Sequence, residues 1–335
     1  MAADGVEANH SSLPRVWTLS SYRAGENTQI QGLASALGLP WVQKRLVYNA
    51  LAGPLSLVRA VSTLGIDKGG SDTLQGPWPD LIISAGVKNE PVCRWIKKRS
   101  GGHTRLVFLG RVWAPYEAFD LIITTPQYRL PERENILQRR VTLHRVTPEN
   151  LKQAAGEWQS RFAHLPSPRT GVLLGGDSGP YVLGEAAAER LVLQLNKACS
   201  SGGSALITTS ARTRECVGEV LSERLTCQHF LHIQNGAGDS NPYLGILACA
   251  DRFLVSGDSV AMLSEAAATG KPVQIFHLPE NGSEDDSFKA RAYRLLMRYF
   301  PQRLSRDVEL FHAVFERGSE DDLETTLTRV RGLIG

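Results

Sequence analysis

The chain has 335 residues, of which 42% are hydrophobic and 21% charged, a composition that excludes wholesale disorder and collagen-like structure and a length that suggests two domains. Its formal net charge of +3 is divided unevenly: residues 1–168 hold 20 basic and 13 acidic side chains, giving +7, while residues 169–335 hold 17 and 21, giving −4. Five cysteines without a CxxC pair exclude a disulfide framework or a cysteine-based zinc site and fit a reducing, cytoplasmic setting.

The first fifteen residues are small and polar and read as a loose tail, without the basic start and apolar centre of a signal peptide. VWTLS (16–20) is a short apolar strand, followed by the polar loop SYRAGEN and a helix from about Thr28 to Leu37, stopped at Gly38. The uncharged run Leu46 to Val58 (LVYNALAGPLSLV) has Lys44 and Arg45 before it and Arg59 after it. It is too short to span a bilayer, and no other run reaches the ~18 apolar residues a span requires. Two readings stand: an interdomain or core helix broken near Gly53-Pro54, or a helix lying in an anionic membrane interface, which the basic first half would favour. DLIIS (80–84) is a second strand, followed by the helix PVCRWIKK; RLVFLG (105–110) and FDLIITT (119–125) are two more. These runs are rich in Ile, Leu and Val and barely alternate, as strands buried on both faces of a parallel sheet do.

PENLKQAAGEWQSRFAHLPSP (148–168) begins as a helix and ends in a proline-rich break, which places a domain boundary near Leu165 to Arg169. The scheme then repeats: strand GVLLGG (171–176), helix from about Tyr181 to Cys199, strand SALITTS (204–210), a helix carrying Cys216 and Val220, and strand HFLHIQ (229–234). Asn241 and Pro242 open a helix through Ala250. Strands RFLVSG (252–257) and KPVQIF (271–276) flank a helix from Ser259 to Thr269, and residues from Phe288 onward read as helical throughout. Two such blocks imply an α/β protein with two doubly wound sheets facing a cleft: residues 16–166, residues 167–286, then C-terminal helices over 287–335.

Several chemistries lose their support. No GxGxxG follows the first strand, and GxxxxGK[ST], GxSxG, HxxxH and HExxH are all missing, so nicotinamide, P-loop, serine-hydrolase and helical metal-ligand readings fail. No metal or cofactor is expected, and nothing points to nucleic acid. The stretch DRFLVSGDSVAMLSEAAATGKPV (251–273) is the most informative. Its strand ends and Ser256-Gly257-Asp258-Ser259 turns into a helix whose first N–H groups and positive dipole end suit a phosphate. Glu265 on that helix can accept hydrogen bonds from a vicinal diol such as a ribose. The alternative is a plain helix cap with a solvated glutamate.

NPYLGILACADRFLVSGDSVAMLSEAAATGKPV (241–273), with GGDSGPY (175–181), TTSART (208–213) and SYRAGENTQIQGLASALGLP (21–40), resembles the elongated-mitochondria fission family, whose name comes from a plant protein and which has many bacterial members. Ala211 departs from the polar or basic residue expected before the arginine. The family in turn resembles GT-B glycosyltransferases, which have two Rossmann-like domains. The resemblance implies a nucleotide-sugar donor, a UDP-sugar foremost, with the diphosphate at Ser256, Gly257, Asp258 and Ser259 and the ribose at Glu265. Arg212 would offset the diphosphate charge or serve as a surface helix-start charge. Gly175, Gly176 and Ser178 form a second backbone-rich turn suited to close approach of a ligand. For catalysis, Glu26 is the candidate base on an unidentified acceptor hydroxyl, with Asn27 and Gln29 as polar positioners and Asp258 as a rival. Glu26 has a second reading as a helix N-terminal charge. The alternative function is a non-catalytic adaptor on a transferase-like scaffold, because the plant relative is linked to organelle fission and recruits a dynamin-like protein. A sugar-nucleotide epimerase that needs a Tyr-xxx-Lys dyad is discounted, since no tyrosine has a lysine four residues later.

Overall fold

The structure is a computed structural model that describes residues 13–178, 181–200, 202–234, 241–278, 307–318 and 322–335. The chain divides into two compact units, the first made of Met1–Thr124, Pro131–Leu137 and Asp322–Gly335 and the second of Thr125–Leu130 and Gln138–Asp321.

The first unit is built on a six-stranded sheet in the order β2-β1-β3-β4-β5-β6. Its strands are β1 (Val16–Leu19), β2 (Trp41–Lys44), β3 (Leu81–Ala85), β4 (Arg105–Leu109), β5 (Leu121–Thr124) and β6 (Ile136–Gln138). β1 through β5 pair in parallel. Every residue of β1, β3 and β5 is buried, which explains their largely apolar sequences without alternation. β2 is half exposed, and its polar Gln43 and Lys44 hid it from a search for apolar runs. The chain steps from β1 to β2 on one side and then to β3 on the other, so the crevice at the carboxyl end of this sheet opens between β1 and β3.

Helix α1 (Ala24–Ala36) starts one turn earlier than the sequence suggests, and α3 (Glu90–Arg99) follows β3. α3 has proline in its first turn and Lys97, Lys98 and Arg99 in its last, both favourable to the helix dipole. The buried Glu90 accepts the backbone N–H groups of Trp113 and Ala114 at 2.7 Å each, and burial pushes its carboxyl up to about 7.

The segment Leu46 to Val58 is not one long helix. It contains only α2 (Ala52–Leu57), with Pro54 accommodated in its first turn rather than breaking it. Ala52 and Ser56 face inward, whereas Leu51, Leu57, Val58, Val61 and Leu64 are exposed, so the core-helix reading is corrected. Among the described residues no helix is long and apolar enough to cross a membrane.

The second unit carries a five-stranded, fully parallel sheet in the order β11-β10-β7-β8-β9. Its strands are β7 (Arg169–Leu173), β8 (Ser204–Thr208), β9 (His229–His232), β10 (Arg252–Ser256) and β11 (Val273–Phe276). The helices are α4 (Pro148–Phe162), α5 (Glu185–Cys199), α6 (Glu215–Arg224), α7 (Tyr243–Cys249), α8 (Val260–Ala267) and α9 (Val308–Glu316). The chain advances from β7 to β8 to β9, then returns to place β10 on the other side of β7. The β7–β10 boundary is therefore the topological switch point, the place where open α/β sheets hold ligands.

The boundary expected near Leu165 to Arg169 lies inside this unit. α4 belongs to it because Trp158 and Phe162 stack on each other and join its core with Phe230. Gly245 of α7 lets that happen: a Cβ there would fall 2.2 Å from Trp158 Cγ. Thr125–Leu130 also joins this unit, where Gln127 accepts the Asp307 N–H at 2.8 Å beside the start of α9. The expectation of continuous helix after Phe288 is corrected in part. Residues 288–306 lie outside the described residues, and beyond them α9 and α10 (Leu323–Arg331) are separate helices assigned to different units.

Candidate functional site

The loops that leave β7, β8 and β10 meet at the switch point of the second sheet, and one carboxylate joins them. Asp258 is fully buried. Its Oδ2 accepts the Gly176 N–H and the Arg212 guanidinium, both at 3.0 Å, and its Oδ1 accepts the Ser256 hydroxyl at 2.7 Å. Ser256 Oγ in turn accepts the Gly175 N–H at 2.8 Å. From the β8 side, Ser210 and Thr213 donate to the Gly175 carbonyl. Arg212 reaches back to the Asp177 carbonyl at 3.0 Å, and Arg214 pairs with the Asp177 carboxylate at 2.7 Å.

The glycines expected here are required by the packing of the turn itself. A Cβ on Gly175 would meet Asp258 Oδ2 at 2.2 Å, and one on Gly176 would meet the Arg212 carbonyl at 2.2 Å. The close approach is by the protein's own loops. The Ser256 hydroxyl, the Asp258 carboxylate and the N–H groups of Gly175 and Gly176 are engaged within the turn. Gly257 donates its N–H to Phe276 at 2.9 Å, and His312 of α9 packs where a side chain at 257 would stand. The fully buried Asp258 is a brace, which corrects its reading as a diphosphate contact or a catalytic base.

What remains at this edge is Arg212, 48% exposed, the Ser259 hydroxyl, which has no hydrogen-bond partner among the described residues, and the N-terminus of α8. Ser178 forms an isolated bridge with Tyr181. Glu265, only 9% exposed, lies farther along α8. The Tyr243 hydroxyl donates to its Oε2, and no hydrogen bond reaches its Oε1 among the described residues. Burial pushes this carboxyl up to about 7, partly offset by the Tyr243 hydrogen bond. Tyr243 was missed in the sequence. It stands in the quoted stretch NPYLG, but nothing local ties it to a glutamate on the next helix.

The other candidates lie in the first unit, at the β1–β3 crevice. Glu26 is in the first turn of α1, where its carboxylate accepts the Ser21 hydroxyl and faces Arg23 at 3.5 Å. Gly86, after β3, has φ +82, and a Cβ there would fall 2.6 Å from Glu26 Oε2. Asn27 has both ends of its amide on the Ser21 backbone: Oδ1 accepts Ser21 N–H at 2.7 Å and Nδ2 donates to Ser21 O at 2.9 Å. These bonds shape the β1–α1 turn. Lys88 sits over the rings of Tyr22 and Tyr48, at 4.7 and 5.6 Å, and these three residues were not singled out in the sequence.

The family model described as mitochondrial fission ELM1 matches residues 24–307. The mitochondrial fission protein ELM1 of Arabidopsis thaliana is 27% identical over 243 residues, which is 66% of this chain and 57% of the plant protein, so the match spans little more than half of that relative. An uncharacterized protein of Rickettsia prowazekii is 25% identical over 302 residues, 80% of this chain and 84% of its own length. Similar solved structures include a Staphylococcus aureus MnaA–UDP complex with a TM-score of 0.49 at 11% identity, covering 95% of this chain and 96% of that one. A Rickettsia africae glycosyltransferase has a TM-score of 0.47 at 12% identity, covering 96% and 98%.

The bracing role of Asp258 is testable. Asp258→Ala leaves the buried Gly176 N–H and Ser256 hydroxyl without their acceptor and Arg212 without its partner. Denaturant unfolding of this variant should show a loss of about 2–4 kcal/mol. A loss under about 1 kcal/mol would remove the brace.

Proposed function

The chain belongs to the mitochondrial fission ELM1 family, and from that premise we propose that it is a nucleotide-sugar-dependent glycosyltransferase whose second unit binds the donor at the β7–β10 switch point. One observation carries this reading: a nine-tenths-buried carboxyl, Glu265, holds one oxygen to Tyr243 and offers the other to no protein donor described. Oε1 is not sealed inside the protein and can be reached from outside, and the two hydroxyls of a ribose are donors of the right kind for it. Arg212 and the α8 N-terminus supply positive potential for a diphosphate, and Ser259 adds a hydroxyl. A UDP-sugar is the donor favoured by the family's likeness to GT-B transferases.

In the first unit, Glu26 takes the role of base. In an inverting transfer, its carboxylate accepts the proton of the acceptor hydroxyl as that oxygen forms its bond to the anomeric carbon. The bond from that carbon to the diphosphate oxygen breaks, and the departing nucleoside diphosphate keeps the electron pair. Arg212 stabilises the charge that develops. The Ser21 hydroxyl and Gly86 keep the carboxylate in place.

The same protein is proposed to associate peripherally with an anionic membrane. Between Leu51 and Leu64 the first unit exposes five large apolar side chains, with Val58 71% and Leu64 62% exposed, and Arg45, Arg59 and Lys68 are exposed beside them. Apolar insertion and basic attraction add at such a surface.

Two measurements test these readings. In calorimetry with UDP, Glu265→Ala should weaken binding by about 1.5–3 kcal/mol with the fold intact, while Glu26→Gln leaves binding unchanged and lowers nucleoside-diphosphate release with a crude lipid or glycan acceptor extract by about 10²–10⁴. Equal release from wild type and Glu26→Gln removes the base. Donor binding without any release from wild type makes the adaptor function the better reading. For the membrane, sedimentation with phosphatidylserine-containing vesicles should show binding at low salt that weakens at high salt and falls in Leu57→Asp/Val58→Asp. Failure to bind at low salt leaves the patch without this role.

A further inference from the structure

A second cluster lies against the Gly257 turn. His277 follows β11, and Glu309 and His312 stand one turn apart on α9. One ligand-type atom from each of the three lies within 4.8 Å of the others. The rings of His277 and His312 meet edge to face at 5.3 Å.

His312 is the informative member. It is 4% exposed, and its Nε2 lies 2.9 Å from the Gly257 carbonyl oxygen. A carbonyl only accepts, so Nε2 carries the proton. Nδ1 is then a bare lone pair, and it is a buried atom without a hydrogen-bond partner. The Glu309 carboxylate oxygen stands 3.8 Å from it, beyond hydrogen-bond length. A protonated ring nitrogen bonded to a backbone carbonyl, with the opposite nitrogen bare and turned to a carboxylate and a second imidazole, is the arrangement of a metal-ligating histidine.

We propose that His277, Glu309 and His312 form a binding site for a divalent transition metal, zinc foremost, that fastens α9 to the Gly257 turn. Two imidazoles and one carboxylate are a donor set that zinc accepts, with a fourth position left to water. Ligand atoms on a zinc tetrahedron are about 3.4 Å apart, as bonds of about 2.0–2.1 Å require, so the cluster closes by roughly an ångström when loaded. His277 and Glu309 are exposed and can make that movement, while the buried His312 is fixed by Gly257. The sequence conceals the site because its ligands come from the residue after β11 and from α9, which are separated by a long stretch of chain and lack a helical HxxxH spacing. The inference does not rest on sugar transfer.

The test uses the full chain stripped with a chelator and titrated with Zn²⁺ against a chromophoric indicator. One zinc should bind per chain, and His277→Ala and Glu309→Gln should each weaken it by at least about tenfold, the scale on which even outer-shell changes act. Both side chains are exposed, so both variants should retain the thermal midpoint of the metal-free wild type, which separates ligand loss from misfolding. Co²⁺ should give the intense visible absorption of a tetrahedral site, lost in the same two variants. Absence of stoichiometric zinc, or wild-type affinity in both variants, overturns the proposal.

Discussion

The buried carboxylate of Asp258 is the interaction on which the candidate donor site depends. It draws together loops from three strands, accepting from Gly176 after β7, Arg212 after β8 and Ser256 at the end of β10. An isolated charge at that depth would be prohibitive, and three donors make it tolerable. Arg212 is held by Asp258 on one nitrogen and by the Asp177 carbonyl on another, so its guanidinium is fixed before any ligand arrives. Pre-orientation of this kind removes part of the ordering cost of binding.

The first unit solves the same problem with an amide. Asn27 closes a ring with both backbone groups of Ser21, which sets the β1–α1 turn and leaves the Ser21 hydroxyl free to donate to Glu26. Gly86, with its positive φ, removes the side chain that would otherwise occupy the carboxylate's place. In both units the residues nearest the crevice divide into those that hold the loop and those that the loop presents. Asp258 and Asn27 belong to the first kind; Glu265 and Glu26 belong to the second.

That division marks how far the sequence was legible. The apolar strands could be read because burial on both faces favours runs rich in Ile, Leu, Val and Phe, as in β3 and β10, and the Ser-Gly-Asp-Ser turn could be read because strand, glycine and helix follow one another. β2 escaped because half of it is exposed, and α4 was given to the wrong unit because its contact with α7 depends on a glycine nearly ninety residues away from its tryptophan. Residue types showed only that Asp258 and Asn27 were polar groups where a strand gives way to a helix. Only the three-dimensional arrangement shows that their hydrogen-bonding capacity faces inward. Tyr243 and His312 were hidden for the same reason, since each acts on a residue from another element.

Glu265 shows what this organisation implies for binding. Burial raises its carboxyl to about 7, and a folded-state value above the unfolded one means a stabilising contribution that is full at low pH and lost as pH rises through about 7. The folded chain alone therefore resists ionising Glu265, and Tyr243 offsets only part of that resistance. A ligand that donates two hydroxyls to the carboxylate favours the ionised form and relieves the same strain. On the proposed reading a diol would pair with the Glu265 oxygen that Tyr243 leaves open, whereas Asp258 already has three protein donors. The proposed division of labour rests on that asymmetry between two carboxylates of one strand–turn–helix segment, Asp258 tied into the loops and Glu265 keeping one oxygen without a protein donor among the described residues.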